Sequence, residues 1–293
     1  MSSIAVSQPA RIPAEVARGG ARRALMLLAV LAALWGLWEG WRGLGVHYGI
    51  TWPFPVNDVT MPHLHSIVAE LFQPSRVNGP LLIAVLWHAS LFTAKEAAAG
   101  FALGAFVGFA LAVCLSQSKL LERGFLPYIV ASQTVPILAI APMVVVGLGS
   151  KGVTGWQAVS VTAAYLTFFP VTVNTLRGLQ AADPRAVELM RSYAAGRWEI
   201  LRKLRVPSSL PYLFTALKIS ATASIVGAII SESSASIQDG LGGAIINYNQ
   251  YYSLEPKNLW ATNLVAAVLG ITFFLAVVVL EKLVVRQAPE NLA

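Results

Sequence analysis

Apolar residues along this chain run in long unbroken blocks, not in the narrow stripes of a soluble helix or the alternation of a half-buried strand. Six blocks approach the roughly 20 residues that cross a bilayer, at about 24–44, 93–116, 125–148, 156–178, 212–233 and 260–282. The pattern predicts an all-α polytopic membrane protein of about six transmembrane helices. It divides the chain into a tail over 1–23, a first transmembrane helix over 24–45, a loop over 46–92 with two short helical patterns, a core of five spans over 93–285, and a tail over 286–293. Arg22 and Arg23 before the first block would suit a signal peptide. Trp35, Trp38 and Trp41 form an interfacial belt instead, and no small-residue cleavage pattern follows, so a retained anchor is expected.

The pattern changes between the fourth and fifth blocks. The stretch "ELMRSYAAGRWEILRKLRVPSSLP", residues 188–211, interleaves Arg191, Arg197, Arg202, Lys203 and Arg205 with Leu189, Met190, Tyr193, Trp198, Ile200 and Leu204. Asp183 is a good N-cap and Pro184 a good first helical residue. A helix over 184–195 sets Ala186, Val187, Met190 and Ala194 on one side, with Leu189 and Tyr193 adjoining. Gly196 permits a break. A second helix over 197–205 offers Trp198, Leu201 and Leu204, with Glu199 four residues before Lys203, and Pro207 and Pro211 are expected to end it. Twelve residues make a rod of about 18 Å, too short to cross a bilayer. The segment must lie on a membrane face, either in anionic headgroups or in a groove on a partner. The residues alone leave both open.

Composition narrows the class. Of 293 residues 56% are hydrophobic and 12% charged, against about 25% charged in a soluble domain, and the mean hydropathy is +0.64. A net charge of +7 would point to nucleic acid in a soluble protein. Here it reflects Lys and Arg held in cytoplasmic loops, and no nucleic-acid partner is expected. Fifteen Lys and Arg fall on the side of the tails and of 183–207, and five on the other: Arg42, Arg76, Lys95, Lys151 and Lys257. Lys218, inside the fifth block, can snorkel to the richer side. The bias predicts both termini in the cytoplasm and the 46–92 loop outside. The single cysteine, Cys114, lies in an apolar run and reads as a small core residue.

Few motifs carry chemistry. Gly147, Gly149 and Gly152 match a dinucleotide pattern, but no acid follows at the required distance and the preceding run is too long for a strand. No Lys-Ser/Thr follows, so it is not a phosphate loop either, and no cofactor site is expected. Gly100, Gly104 and Gly108 recur every four residues, the small-residue spacing that lets helix backbones approach. Glu232 lies near one end of the fifth block among Ser231, Ser233, Ser234 and Ser236. An acid there either lines a polar pathway or gate or sits solvated at the interface. Lys95 and Glu96, opening the second block, read as a surface pair. His63 and His65 lie near Asp58 and Glu70. Two histidines without a second cluster read as surface residues, and no metal site is expected. No nucleophile–base set or metal-protease motif is present, so catalysis is not expected of this chain.

The 183–207 segment resembles the cytoplasmic signature of the membrane subunits of ABC importers, the binding-protein-dependent permeases. That signature reads E-A-A, three residues, G, nine residues, I-x-L-P. Glu188, Leu204, Val206 and Pro207 stand at its positions; Leu189 and Met190 replace the alanines, and Ala194 stands where glycine is usual, with Gly196 two residues on. The stretches 134–149, 168–184, 210–232 and 240–245 are similar to the nitrate, sulfonate and taurine branch, with pyrimidine-precursor and riboflavin importers among its members. The resemblance runs from about residue 90 to 285 and implies a type I importer permease fold.

It also implies that the signature region, with Arg185, Glu188, Leu189, Met190, Tyr193, Ala194, Gly196 and Trp198, forms coupling helices seated on a cytoplasmic ATPase that holds the ATP and Mg. A homodimer in the bacterial inner membrane and an external solute-binding protein would complete the importer. Thr134, Asn174, Ser231, Ser234 and Glu232 are the expected pathway or gate residues, for a small organic or anionic solute. The rival classes are a secondary transporter, which should show repeats and intramembrane ionisable residues, and a membrane enzyme.

Overall fold

The computed structural model describes residues 14–52, 55–76, 78–235 and 237–285. The expected C-terminal tail, residues 1–13 of the N-terminal one, and Ser236 of the serine run lie outside the described residues. The described chain is all-helical apart from an isolated bridge between Pro74 and Leu81.

Two compact units follow one another, residues 1–68 and 69–293. In the first, α1 (Ala14–His47) is one 34-residue helix, about 50 Å long at 1.5 Å per residue. It starts within the expected tail and contains the expected first span. The chain after it returns along the C-terminal end of α1. Val56 packs where Gly45 leaves room, since a Cβ on Gly45 would sit 2.6 Å from a Val56 methyl. Trp38 Nε1 donates to Pro62 O at 3.2 Å and Arg42 Nε to Met61 O at 2.8 Å. Arg42 also pairs with Asp58. Helix α2 (Leu64–Glu70) then begins with Leu64 N donating to the Glu39 carboxylate at 3.2 Å.

The second unit contains α3 (Leu82–Ser116), α4 (Lys119–Ser132), α5 (Ile137–Gly149), α6 (Gly155–Gln180), α7 (Pro184–Ser192), α8 (Arg197–Ile200), a π-turn (Leu201–Arg205), α9 (Val206–Ser234), α10 (Leu241–Gln250) and α11 (Pro256–Val284). Helices α3, α6 and α9 form its centre. The glycine stripe explains how closely α3 meets α6. A Cβ on Gly104 would lie 2.5 Å from Ala164 O and 2.6 Å from Thr167 Cβ, and one on Gly108 would lie 2.6 Å from Phe168 O. Gly100 faces Ala163 in the same way, at 2.5 Å. Backbone cannot yield as a side-chain tip can, so any side chain here forces the helices apart. In the most apolar stretch of α6, 56% of residues are buried, against 6% in α11. Helix α6 is therefore the inner element, and α11 leaves most of its surface uncovered by the rest of the described chain.

Two expectations are corrected. The block at 125–148 is not one straight helix. Its two parts, α4 and α5, are bent by 95° across residues 133–136. Pro136, at the N-cap of α5 with ψ 122°, cannot donate to the preceding turn, and a proline disfavours helical geometry in the residue before it. The Tyr165 hydroxyl donates to Ser132 O at the break. Among the described residues four helices are long and apolar enough to span, or five with the bent pair as one span; the count of six is not reproduced.

The second correction concerns Pro207 and Pro211, which do not end a helix. The chain runs helically from Arg197 to Ser234, because the π-turn absorbs the irregularity. Val206 N donates to Leu201 O, five residues back, and Pro207, which has no N–H to continue the ladder, follows directly on this widened turn.

Candidate functional site

The loop between α6 and α9 builds the first candidate surface. Asp183 caps α7, its carboxylate accepting Arg185 N at 2.9 Å. After Ser192 the chain reverses through a Schellman motif: Ala194 N donates to Arg191 O at 2.9 Å and Ala195 N to Met190 O at 3.0 Å. Such a motif needs a left-handed residue, and Ala194 supplies it at φ 58°. The break is thus at Ala194 and not at Gly196, which has an ordinary φ of −72° as the N-cap of α8. Glycine would take the Ala194 conformation without Cβ strain, which accounts physically for glycine at that place in the signature.

Helix α7 sorts its side chains by face. Ala186, Val187 and Met190 are half-buried, while Arg185, Glu188 and Leu189 are turned out. Leu189, Tyr193 and Trp198 are 59%, 80% and 72% exposed. Three large apolar side chains within ten residues, on a surface otherwise rich in Arg, amount to an uncovered contact patch. The outward face therefore carries Leu189 and Tyr193, and Met190 belongs to the inward one. Beside it opens a cavity of about 500 Å³ lined by Lys119, Arg191, Arg197 and Arg205 with Ser116 and Gln117. None of the four cations takes part in an ion pair among the described residues.

The second candidate is internal. Glu232 is fully buried near the C-terminal end of α9. Thr93 Oγ1 donates to its Oε1 at 2.7 Å, and Gly242 N to its Oε2 at 2.6 Å. Leu241 N in turn donates to Thr93 Oγ1 at 2.9 Å. The carboxylate thereby ties α3, α9 and the start of α10 together. The glycines of "GLGGAI" make room for it: a Cβ on Gly240 would run into the carboxylate, and one on Gly242 would lie 2.7 Å from Glu232 Cβ.

Glu96 adjoins Glu232 and is also fully buried, with no hydrogen-bond donor on either oxygen among the described residues. The reading of Lys95 and Glu96 as a surface pair is corrected. Helix α3 begins at Leu82, about three turns before the expected span, so Glu96 falls within its buried length. Exposed Lys95 sits 4.1 Å from the centre of the Trp156 ring.

The other expected pathway residues do not converge here. Ser231 and Ser234 donate to their own helix, at Gly227 O and Ile230 O, both four residues back. Asn174 does the same to Pro170 O at 2.9 Å. Thr134 is exposed at the α4–α5 break and donates to Ala131 O. Reading the sequence missed Thr93, Glu96 and Gly242 as parts of the junction. Thr93 and Glu232 are 139 residues apart, and the only local signal was the glycine run.

Comparison with known proteins matches residues 100–288 to the family described as "Binding-protein-dependent transport system inner membrane component". The formylaminopyrimidine transport permease protein ThiX of Halalkalibacterium halodurans is 33% identical over 184 residues, 63% of this chain and 71% of that one. The riboflavin transport system permease protein RibX of Chloroflexus aurantiacus is 29% identical over 202 residues, 69% and 73% of the two chains. The putative aliphatic sulfonates transport permease protein SsuC of Bacillus subtilis is 27% identical over 228 residues, 78% and 75%. A chain from a "Crystal structure of an amino acid ABC transporter with histidines" superposes with a TM-score of 0.54 at 19% identity, covering 70% of this chain and 95% of that one. It shows a shared fold.

Proposed function

The chain belongs to the binding-protein-dependent transport system inner membrane components, and from that premise we propose how its parts divide the work. It is the membrane-spanning permease subunit of an ATP-driven importer; family membership sets aside the secondary transporter. Hydrolysis takes place in a separate ATPase. The loop at 183–207 is the surface on which that ATPase docks, with Glu188, Leu189, Tyr193 and Trp198 outward and Arg185 beside them. The exposure of Leu189, Tyr193 and Trp198 carries this reading, because a segment resting in anionic headgroups alone has no use for an acid at Glu188 on its outer face. Closure of the ATPases on ATP pulls the segment, and the pull reaches the core because α8, the π-turn and α9 form one helical path to Glu232.

Two copies form the pathway, with both termini and the docking loop cytoplasmic and the 46–92 loop facing a solute-binding protein. Thr134, Asn174, Ser231 and Ser234 serve that pathway, and Glu232 acts as a gate hinge that holds α10 against α3. The solute is a small heterocyclic organic molecule of the formylaminopyrimidine or riboflavin kind, a reading supported by similarity to the two permeases named for those solutes.

Co-purification of the ATPase in detergent tests the docking surface. Glu188→Lys is expected to reduce ATPase association and transport roughly tenfold, as loss of an interface anchor does. Unchanged association together with unchanged coupled hydrolysis in liposomes would assign the segment to lipid.

A further inference from the structure

Three side chains of metal-ligating types converge within the first unit. Glu39, His63 and His65 each bring one ligand atom within 4.8 Å of the other two. His63 Nδ1 is 2.7 Å from Glu39 Oε2, and the two imidazole rings lie 5.0 Å apart between centroids, inclined by 33°. Neither acid near the histidines in sequence is in the group. Asp58 pairs with Arg42, and Glu39 comes from α1, 24 residues before His63.

The group is held in place by its surroundings. Trp38 and Arg42, on either side of Glu39 in α1, grip Pro62 O and Met61 O, the two carbonyls immediately before His63. Leu64 N, immediately after it, donates to Glu39 Oε1. The loop leading in is closed by Asn57, whose side chain accepts Val59 N at 3.0 Å and Thr60 N at 2.9 Å. Glu39 and His63 thus sit on backbone fixed from both directions, the condition under which a metal site keeps its geometry.

We propose that Glu39, His63 and His65 bind a divalent late transition-metal ion of the zinc type, which staples the C-terminal end of α1 to the 56–65 loop. Two imidazoles and one carboxylate form the donor set such ions favour over Mg or Ca. Around a tetrahedral zinc, ligand atoms at ~2.0–2.2 Å from the metal lie about 3.4 Å from one another. To admit the ion, the 2.7 Å contact between His63 Nδ1 and Glu39 Oε2 must widen to that separation, and exposed His65 must close in from within 4.8 Å. Water fills the remaining position. The contact between Glu39 and His63, with the Leu64 cap, would also hold the loop without an ion. His65 separates the alternatives, because it has no part in that cap and only an ion requires it.

The test uses the full chain in detergent, purified without a histidine tag and stripped with chelator. Titration with Zn²⁺ by calorimetry, and with Co²⁺ by visible absorption, is expected to show one saturable ion per chain. His65→Ala should weaken it at least tenfold while leaving the melting temperature of the metal-free protein unchanged; His65→Gln should do the same. His88→Ala, which removes a histidine outside the group, should bind normally. Zn²⁺ should raise the melting temperature of the unmodified chain and not that of His65→Ala. Absence of saturable binding, or equal affinity in both His65 variants and the unmodified chain, would overturn the site. These readouts need neither ATPase nor solute.

Discussion

The α7–α8 loop and the Thr93–Glu232–Gly242 junction are both polar interruptions in an apolar chain, and they are opposite in kind. In the loop the large apolar side chains point out: Trp198 is 72% and Tyr193 80% exposed. At the junction the polar groups point in, and Glu232, Glu96 and Thr93 are all fully buried. A buried carboxylate in a membrane protein must find its donors inside the chain, and Glu232 finds Thr93 and Gly242. An exposed tryptophan must find its partner outside. The loop's geometry rests on its own caps at Asp183 and Ala194, and under the proposed function its exposed face waits for a surface it does not contain. The junction is complete in one chain, and its removal should be felt in the fold itself.

Substitutions can break this contrast, beginning with the largest effect. Glu232→Leu leaves the Thr93 hydroxyl and Gly242 N–H buried without an acceptor. At about 1–3 kcal/mol for each unsatisfied group, a loss of roughly 3 kcal/mol is expected, read as a lowered melting temperature in detergent and lost uptake. Glu232→Gln keeps one acceptor and should be milder in stability, with transport impaired and ATPase association intact. Trp198→Ala tests the other side. It should leave the melting temperature unchanged and weaken ATPase capture about tenfold, or ~1.4 kcal/mol. A stability loss from Trp198→Ala would show that the loop is packed rather than waiting.

Two smaller changes sharpen the comparison. Ala194→Gly relieves the left-handed residue that closes the Schellman motif and should stabilise the loop by about 1 kcal/mol, with Ala194→Val shifting it the other way. Hydrogen exchange at Ala195 N, the amide bonded to Met190 O, reads this locally. At the junction, Glu96→Gln offers N–H donors to Glu232 in place of carboxyl oxygens, and a gain of about 0.5 kcal/mol in unfolding stability is expected. A clear loss would show that the acid at 96 has a role the amide cannot fill.

Much of the fold was legible along the chain because burial in lipid requires continuous apolar length, and length is a one-dimensional property. The four helices among the described residues that are long and apolar enough to span follow from it. The bend at 133–136 was less legible, since Pro127 and Pro142 lie inside helices while Pro136 starts one. A proline's effect depends on whether the N–H it lacks was needed. The 183–207 loop was legible in its caps, at Asp183 and Pro184, but not in its turn, because the left-handed residue is Ala194 and not the neighbouring Gly196. Composition marks where a left-handed residue is easy, not where the hydrogen bonds require one.

By itself the sequence determined the helical class, the approximate spans, the glycine stripe at 100, 104 and 108, the amphipathic loop and the signature that led to its family. All of these depend on residues within a few turns of one another, where spacing alone sets which side chains share a face. Tertiary structure decided what Glu232 and Glu39 meet. Thr93 lies 139 residues from Glu232 and His63 lies 24 from Glu39. Nothing in local spacing distinguishes an acid that will be solvated from one that will be enclosed. That difference is made when α3 and α9 close on the glycines of α10, and when the 56–65 loop returns along α1. Desolvation then leaves fully buried Glu232 only the donors that packing has brought to it, whereas Glu39 stays partly exposed beside His63.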